Sequence, residues 1–156
     1  MKLYATKITQ IGSLTIGVED GKVTDLLFGS NPSGSRKSDA QADPLLMAVF
    51  SQLNEYFEGK RKTFGLPLAP AGTPFQLSVW KALQTIPYGE TRSYRDIAIQ
   101  VGNPKAARAI GSANHHNPIA IIIPCHRVIA ADGSLGGFGG GLPIKEFLLD
   151  LERKNA

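Results

Sequence analysis

A chain of 156 residues, 42% hydrophobic and 19% charged, has enough apolar material for a buried core. Its longest apolar run, residues 119–123, is far too short to span a bilayer, and no basic, then apolar leader opens the sequence, so a cytoplasmic location (nuclear in a eukaryotic source) and no membrane partner are expected. The net charge of +4 is carried by one stretch, residues 81–129, where Lys81, Arg92, Arg95, Lys105, Arg108 and Arg127 face only Glu90 and Asp96, a placement that suits an anionic partner or a solvated face.

The N-terminal third reads as β-rich. Apolar and β-branched runs at 3–8, 14–18 and 23–28 predict three strands, with Glu19-Asp20-Gly21-Lys22 as a hairpin turn. Residues 29–41, rich in Gly, Ser and polar side chains, read as a loop. Asp43 is a helix N-cap with Pro44 in the first turn, Leu45, Leu46, Val49, Phe50, Leu53 and Phe57 recur at helical spacing, and Gly59 is the stop. Nothing in this third proposes chemistry, and it reads as scaffold.

The second part opens with a capping box, Thr73 and Gln76 around Pro74, followed by the stripe Phe75, Val79, Ala82, Leu83 and Ile86, and Pro87-Tyr88-Gly89 ends that helix. Ser93 and Asp96 form a second capping box before Ile97, Ala98 and Val101, with Gly102 as stop. Asn103 and Pro104 then open a third helix, with Ala106, Ala109, Ile110 and Ala113 facing inward and Lys105, Arg108 and Ser112 on the opposite face. Helix, tight Gly turn, helix is the helix-turn-helix pattern, and the small outward residues Gly111 and Ser112 would let its backbone approach a duplex.

Residues 118–123 read as a buried strand feeding Pro124-Cys125-His126-Arg127, then Val128, Ile129 and an Asp132-Gly133 turn. Cys125 is the only cysteine, so no internal disulfide is possible, and three histidines without a second cysteine argue against a structural zinc; no metal or cofactor is expected. A free cysteine is commonly a small core residue, but His126 and Arg127 beside it favour the thiolate. Consecutive strand residues point to opposite faces, so contact between Cys125 and His126 requires a non-strand backbone or a bridging water. Asp132, Glu146, Asp150 and Glu152 are the acids that could orient His126, and spacing does not choose among them. His115 and His116 cap or follow the third helix. The glycine-rich stretch 135–141 suits a backbone wrapping a flat ligand or a flexible linker, and a last helix opens at Pro143 and buries Ile144, Phe147, Leu148 and Leu151.

Ile123-Pro124-Cys125-His126-Arg127-Val128-Ile129 resembles the active-site signature of the O6-alkylguanine-DNA alkyltransferases, and the run from Val101 and Gly102 through Asn103, Pro104, Lys105 and Arg108 to Gly111 resembles their helix-turn-helix. The resemblance implies an α/β (α+β) fold: a ribonuclease-H-like domain over residues 1–69 and a mainly helical, winged-helix-like DNA-binding and alkyl-transfer domain over 70–156. It further implies Cys125 as alkyl acceptor, His126 as its base through a water, Glu152 as the orienting carboxylate, and Asn117 as a tie between recognition helix and active-site turn. Tyr94 would displace a phosphate and protonate the leaving guanine at N3, and Arg108 would fill the stack vacated by the flipped nucleotide. Ser93, Lys105, Ala107, Gly111 and Arg127 would contact DNA, and Val128, Phe138 and Gly139 would line the base pocket. In that pocket the Gly139 amide would meet O6 and the Cys125 and Val128 carbonyls the exocyclic amine.

The implied reaction is single-turnover transfer from O6-alkylguanine, and from O4-alkylthymine, in double-stranded DNA, by a monomer able to bind cooperatively. Phe138 stands where tyrosine is common and Gly139 where a side chain is common, which implies a looser pocket. A transcription regulator would be indifferent to Cys125, a Cys-His hydrolase would turn over repeatedly, and a non-catalytic damage sensor would lack the cysteine.

Overall fold

The computed structural model describes residues 2–29, 43–138 and 140–156. The chain divides into two compact units, Met1–Ala71 and Gly72–Ala156. Most of the expected 29–41 loop, and Gly139, lie outside the described residues.

In the first unit, β1 (Leu3–Thr9), β2 (Gly12–Glu19) and β3 (Lys22–Phe28) form an antiparallel sheet in sequence order. The β2–β3 hairpin turns where expected, with Asp20 at φ 52° and Gly21 at φ 74°, the left-handed pair that a two-residue turn between right-twisted strands demands. Helix α1 (Pro44–Phe57) is capped by Asp43, whose carboxylate accepts from the Leu46 amide at 3.0 Å, and its Leu46, Val49, Phe50 and Leu53 are buried, as are Leu14, Ile16 and Val18 of β2. The chain after α1 returns to the β3 edge through Val23 N–H to Pro67 O and Ala69 N–H to Val23 O, both 2.8 Å, which leaves fewer unpaired strand groups there.

The second unit is helical. Helix α2 (Pro74–Leu83) starts on the expected Thr73–Gln76 box. Strand β4 (Arg92–Ser93) leads into α3 (Tyr94–Gln100), capped by the Ser93–Asp96 box, and α4 (Ala107–His115) follows across a tight turn at Gly102, φ 86°. A 3-10 turn, Cys125–Arg127, runs into β5 (Val128–Ile129), and α5 (Leu142–Asn155) closes the unit. Trp80 of α2 is 2% exposed and its indole N–H donates to Ala113 O at 2.8 Å, which pins α4 against α2. The parallel pairing of β4 with β5, Arg92 opposite Val128 and Ser93 opposite Ile129, places the N-terminus of α3 beside the turn that carries the cysteine.

Three expectations are corrected. Residues 118–123 are buried but form no strand: Ile122 N–H bonds Ala120 O, Ile123 N–H bonds Ile119 O, and Ile121 sits at φ 71°. An apolar run without alternation records burial, not backbone shape. Helix α4 begins at Ala107 rather than Pro104, because Ala106 N–H closes a turn onto Asn103 O, and Ala109 is exposed rather than inward. The buried stripe of α5 is Lys145, Leu148, Leu149 and Glu152, whereas Phe147 is 36% exposed and Ile144 and Leu151 are half-buried.

Candidate active site and DNA-facing helix

The cysteine loop is held from one side chain. Asn117 accepts from Ile119 N–H at 3.0 Å and donates to Ile123 O at 2.8 Å, cinching both ends of the buried turn. A β-branched residue at positive φ, as at Ile121, costs about 1–3 kcal/mol, so the loop depends on this clamp and on its burial. Pro124 then directs the chain into the 3-10 turn, the non-strand backbone that adjacent Cys125 and His126 required.

Behind the turn lies a buried ionic cluster. Glu152 accepts from His126 Nε2 at 2.6 Å, from Arg127 Nε at 2.8 Å and Nη2 at 3.0 Å, and from the Gly89 amide at 3.3 Å. The other three candidate acids are elsewhere: Asp132 caps its own turn to Ser134, Asp150 pairs with Arg153 in solvent, and Glu146 is exposed. Burial alone would push the Glu152 carboxyl up, but the His126 and Arg127 hydrogen bonds and the guanidinium charge outweigh it and hold the group at about 2. Burial pushes the His126 imidazolium down against the pull of Glu152. A neutral imidazole facing a carboxylate through Nε2 must carry its proton there, which leaves Nδ1 as the lone-pair nitrogen. That atom is buried and has no protein partner among the described residues.

Cys125 is 4% exposed. Burial pushes its thiol up, opposed by the Asn117 side chain, by the Lys145 ammonium and by backbone amides. At rest the sulfur therefore holds its proton, contrary to the thiolate favoured from the neighbouring residues, because Arg127 is turned away into the Glu152 cluster. Arg127 is corrected for the same reason: expected at DNA, it is 7% exposed, with Nη1 donating to Ile86 O at 2.7 Å and its remaining bonds on Glu152.

Sequence reasoning missed Lys145. Its ammonium is buried on α5, donating to Val128 O at 2.6 Å and Gly137 O at 3.3 Å, and burial pulls it down to about 8. It occupies the face of Glu152, seven residues and two turns earlier, so taking Glu152 as inward would have exposed it.

A cavity of about 200 Å³ is lined by Tyr94, Gly111, Asn114, His115, Gly137 and Phe138. Tyr94 begins α3, and burial raises its hydroxyl above the ordinary value, so it stays protonated at neutral pH in a hydrogen bond with the Gly137 backbone. Gly136 holds φ 71°, and a Cβ there would sit 2.6 Å from the Tyr94 hydroxyl oxygen, so this bend of the glycine-rich stretch requires glycine twice over. Asn114, also missed by sequence reasoning, is 5% exposed and donates to Cys125 O at 3.2 Å. Val128 is fully buried and Phe138 half-buried. A second cavity, about 210 Å³, is lined by Gly89, Ile129, Leu149 and Glu152 among others.

Lys105, Ala107 and Arg108 are exposed on and before α4, Ser93 caps α3, and Gly111 is half-buried on α4. A Cβ at Gly111 would meet nothing closer than Tyr94 Cε1 at 3.9 Å. Gly111→Ala should therefore raise stability by about 0.5–1 kcal/mol, the usual helix-interior gain. If the backbone of α4 lies against a duplex, the same substitution should lower DNA affinity, and melting and titration of one sample read the two effects separately. Among the described residues no helix is long and apolar enough to cross a membrane, and no group of three His, Cys, Asp or Glu side chains is placed to hold a metal ion.

Two family profiles match the chain: the 6-O-methylguanine DNA methyltransferase ribonuclease-like domain over residues 2–70 and the DNA binding domain of the same enzymes over residues 74–154. The chain belongs to the 6-O-methylguanine DNA methyltransferase family. It is 47% identical over 159 residues to the constitutive methylated-DNA--protein-cysteine methyltransferase of Bacillus subtilis, covering 98% of this chain and 96% of that one. A Methanosarcina barkeri methylated-DNA--protein-cysteine methyltransferase is 64% identical over 104 residues, 67% of this chain and 66% of that protein. The crystal structure of Mycobacterium tuberculosis OGT in complex with DNA superposes with a TM-score of 0.88 at 49% identity, covering 98% of this chain and 94% of that one.

Proposed function

We propose that this protein is a methylated-DNA--protein-cysteine methyltransferase that binds duplex DNA through α4, receives a flipped O6-alkylguanine in the Tyr94–Phe138 cavity, and transfers its alkyl group once to Cys125. The observation that carries the reading is a buried thiol one residue from a neutral imidazole whose Nε2–H is held by a carboxylate 2.6 Å away and whose Nδ1 has no protein partner among the described residues.

The thiol gives its proton to His126 Nδ1 through a water, and the developing imidazolium is stabilised by Glu152. The Cys125 sulfur attacks the alkyl carbon, a C–S bond forms, the C–O6 bond breaks, and the electron pair leaves on guanine. Tyr94 supplies the proton that neutralises guanine at N3 and is reprotonated from solvent. A thioether does not hydrolyse, so the cycle ends there. O4-alkylthymine would react by the same displacement. Extruding a nucleotide costs a few kcal/mol, and Arg108 in the vacated stack offsets part of it.

The deciding experiment mixes the protein with a limiting duplex carrying one O6-methylguanine and weighs the Cys125 peptide. The expected result is a gain of one methylene, stoichiometric with the lesion and lost in Cys125→Ser; no gain with lesion binding retained would mean a damage sensor instead. Arg108→Ala should slow transfer from duplex DNA by about tenfold or more while leaving reaction with free O6-benzylguanine, which needs no flipping, within about twofold. Equal slowing on both substrates would remove Arg108 from the flipping step.

A further inference from the structure

The guanidinium of Arg127 is held by three groups inside the protein. Nε and Nη2 grip the two oxygens of Glu152 at 2.8 and 3.0 Å, Nη1 donates to Ile86 O at 2.7 Å, and the guanidinium carbon lies 5.7 Å from the centre of the Tyr88 ring. The oxygen that takes Nη2 is the one that takes His126 Nε2 at 2.6 Å, so guanidinium and imidazole share one acceptor. A buried carboxylate needs one positive partner, and an unmatched charge in the interior is costly. With Arg127 in place Glu152 is matched, and Arg127, Glu152 and a neutral imidazole together carry no net charge. A proton on His126 would then be an uncompensated buried cation. Without the charge of Arg127 the count reverses, and Glu152 lacks a partner until His126 is protonated.

We propose that Arg127 is a positioning residue that acts through Glu152: by pairing the carboxylate itself, it withholds from His126 the counter-ion that a second proton on the Cys125–His126 pair would need, and so keeps the pair reactive in mildly acidic solution. The inference rests on the alkyl-transfer reading above. Transfer requires that Cys125 and His126 together hold one proton, which passes from sulfur to nitrogen; a second proton fills both sites and stops it. The charged and titratable groups around His126 are Glu152 and Lys145 from α5, Cys125 and Arg127 from its own turn, and Tyr88, against Arg127, from the loop after α2. Burial does most to push the imidazolium down and Glu152 opposes it, while the charges of Arg127 and Lys145 add to the lowering. Lys145 bonds backbone carbonyls and leaves Glu152 untouched, so Arg127 alone of the two cations competes with His126 for the carboxylate.

The test is the rate at which free O6-benzylguanine modifies Cys125, followed by mass from about pH 5 to about pH 7.5, below the range near 8 where Lys145 titrates. A free base leaves DNA contacts out of the profile. Wild type is compared with Arg127→Met, which removes the charge, and Arg127→Lys, which keeps the charge but loses the two-pronged grip. Both variants lose packing and hydrogen bonds, so both should be slower and melt lower; only the charge distinguishes them. The acid midpoint of Arg127→Met should lie about 1–3 pH units above that of wild type, and that of Arg127→Lys within about half a unit of it. The chain has three histidines, so proton NMR of the imidazole rings follows His126 without substrate, and its titration should move by the same amount. Should Arg127→Met not fold, Arg127→Gln, also uncharged, takes its place. A midpoint that moves equally in the methionine and lysine variants, or in neither, overturns the inference and makes Arg127 a structural tie, with alkyl transfer left standing. A Cys125 that stays unmodified at every pH, by benzylguanine and by the lesion-bearing duplex alike, would remove the alkyl-transfer reading instead.

Discussion

Glu152→Gln is expected to lower stability by about 3–5 kcal/mol and to slow alkyl transfer by about a hundredfold or more. The carboxylate accepts from His126, from the Gly89 amide and twice from the Arg127 guanidinium, and is 1% exposed. Glutamine keeps the shape but removes the counter-charge, stranding a buried guanidinium and setting an amide donor against donors. For a unit of this size the loss corresponds to a melting temperature lower by about 15 °C or more.

The pH dependence gives a second check on the same group. The folded carboxyl sits at about 2 against an ordinary value of 4.5. Between those values the unfolded chain binds a proton that the folded protein does not, so stability rises with pH across the window. The contribution, about 3 kcal/mol, is complete above pH 4.5 and is lost as pH falls toward 2. The variant should lack this acid limb. Adding Arg127→Met to Glu152→Gln should recover stability, since the stranded cation is gone, without restoring the rate. Recovery of both would show Glu152 to be a packing residue with no part in orienting His126.

Local signals were the most legible. Three N-caps, at Asp43, Thr73 and Ser93, stand at the expected residues because each depends on chemistry within four positions of itself. The Asp20-Gly21 turn has the same character. What the chain did not disclose depends on distant partners. Lys145 and Glu152 are charged residues on the buried face of α5, and a search for apolar periodicity passes over them; of the apolar stripe it predicts, Leu148 is buried, Phe147 is exposed, and Ile144 and Leu151 are half-buried. Their burial makes sense only with Val128 O and Arg127 as partners, and those arrive from a turn 17 and 25 residues earlier. Asn114 is hidden in the same way, one residue beyond the buried Ala113 on α4. Residues 118–123 show the converse: their apolarity correctly reported burial, but the turn is set by Asn117, whose two hydrogen bonds no pattern of hydrophobicity encodes. The cysteine motif and its helix-turn-helix were legible as a resemblance; the direction of Arg127 was not, because a guanidinium serves equally well at a phosphate and at a buried carboxylate.

Alkylation of Cys125 should itself destabilise the protein, by about 1–3 kcal/mol for a methyl group, as overpacking of a close-packed interior does. The sulfur has little room, being 4% exposed, and Asn117, which bonds the thiol, also clamps Ile119 and Ile123. An added methyl displaces that amide first, and the displacement passes to the loop at φ 71° that Asn117 holds closed and to the end of α4 immediately before it. The surface that meets DNA is thereby coupled to the state of the sulfur, and the spent protein should both melt several degrees lower and bind duplex DNA more weakly. A benzyl group should enlarge both effects. Melting curves and DNA titrations of free, methylated and benzylated protein measure the coupling directly. If Asn117 is the transmitter, Asn117→Ala should start from a lower melting temperature and show a smaller further drop on methylation; identical melting of free and methylated wild-type protein would mean that the turn accommodates the alkyl group without moving its clamp.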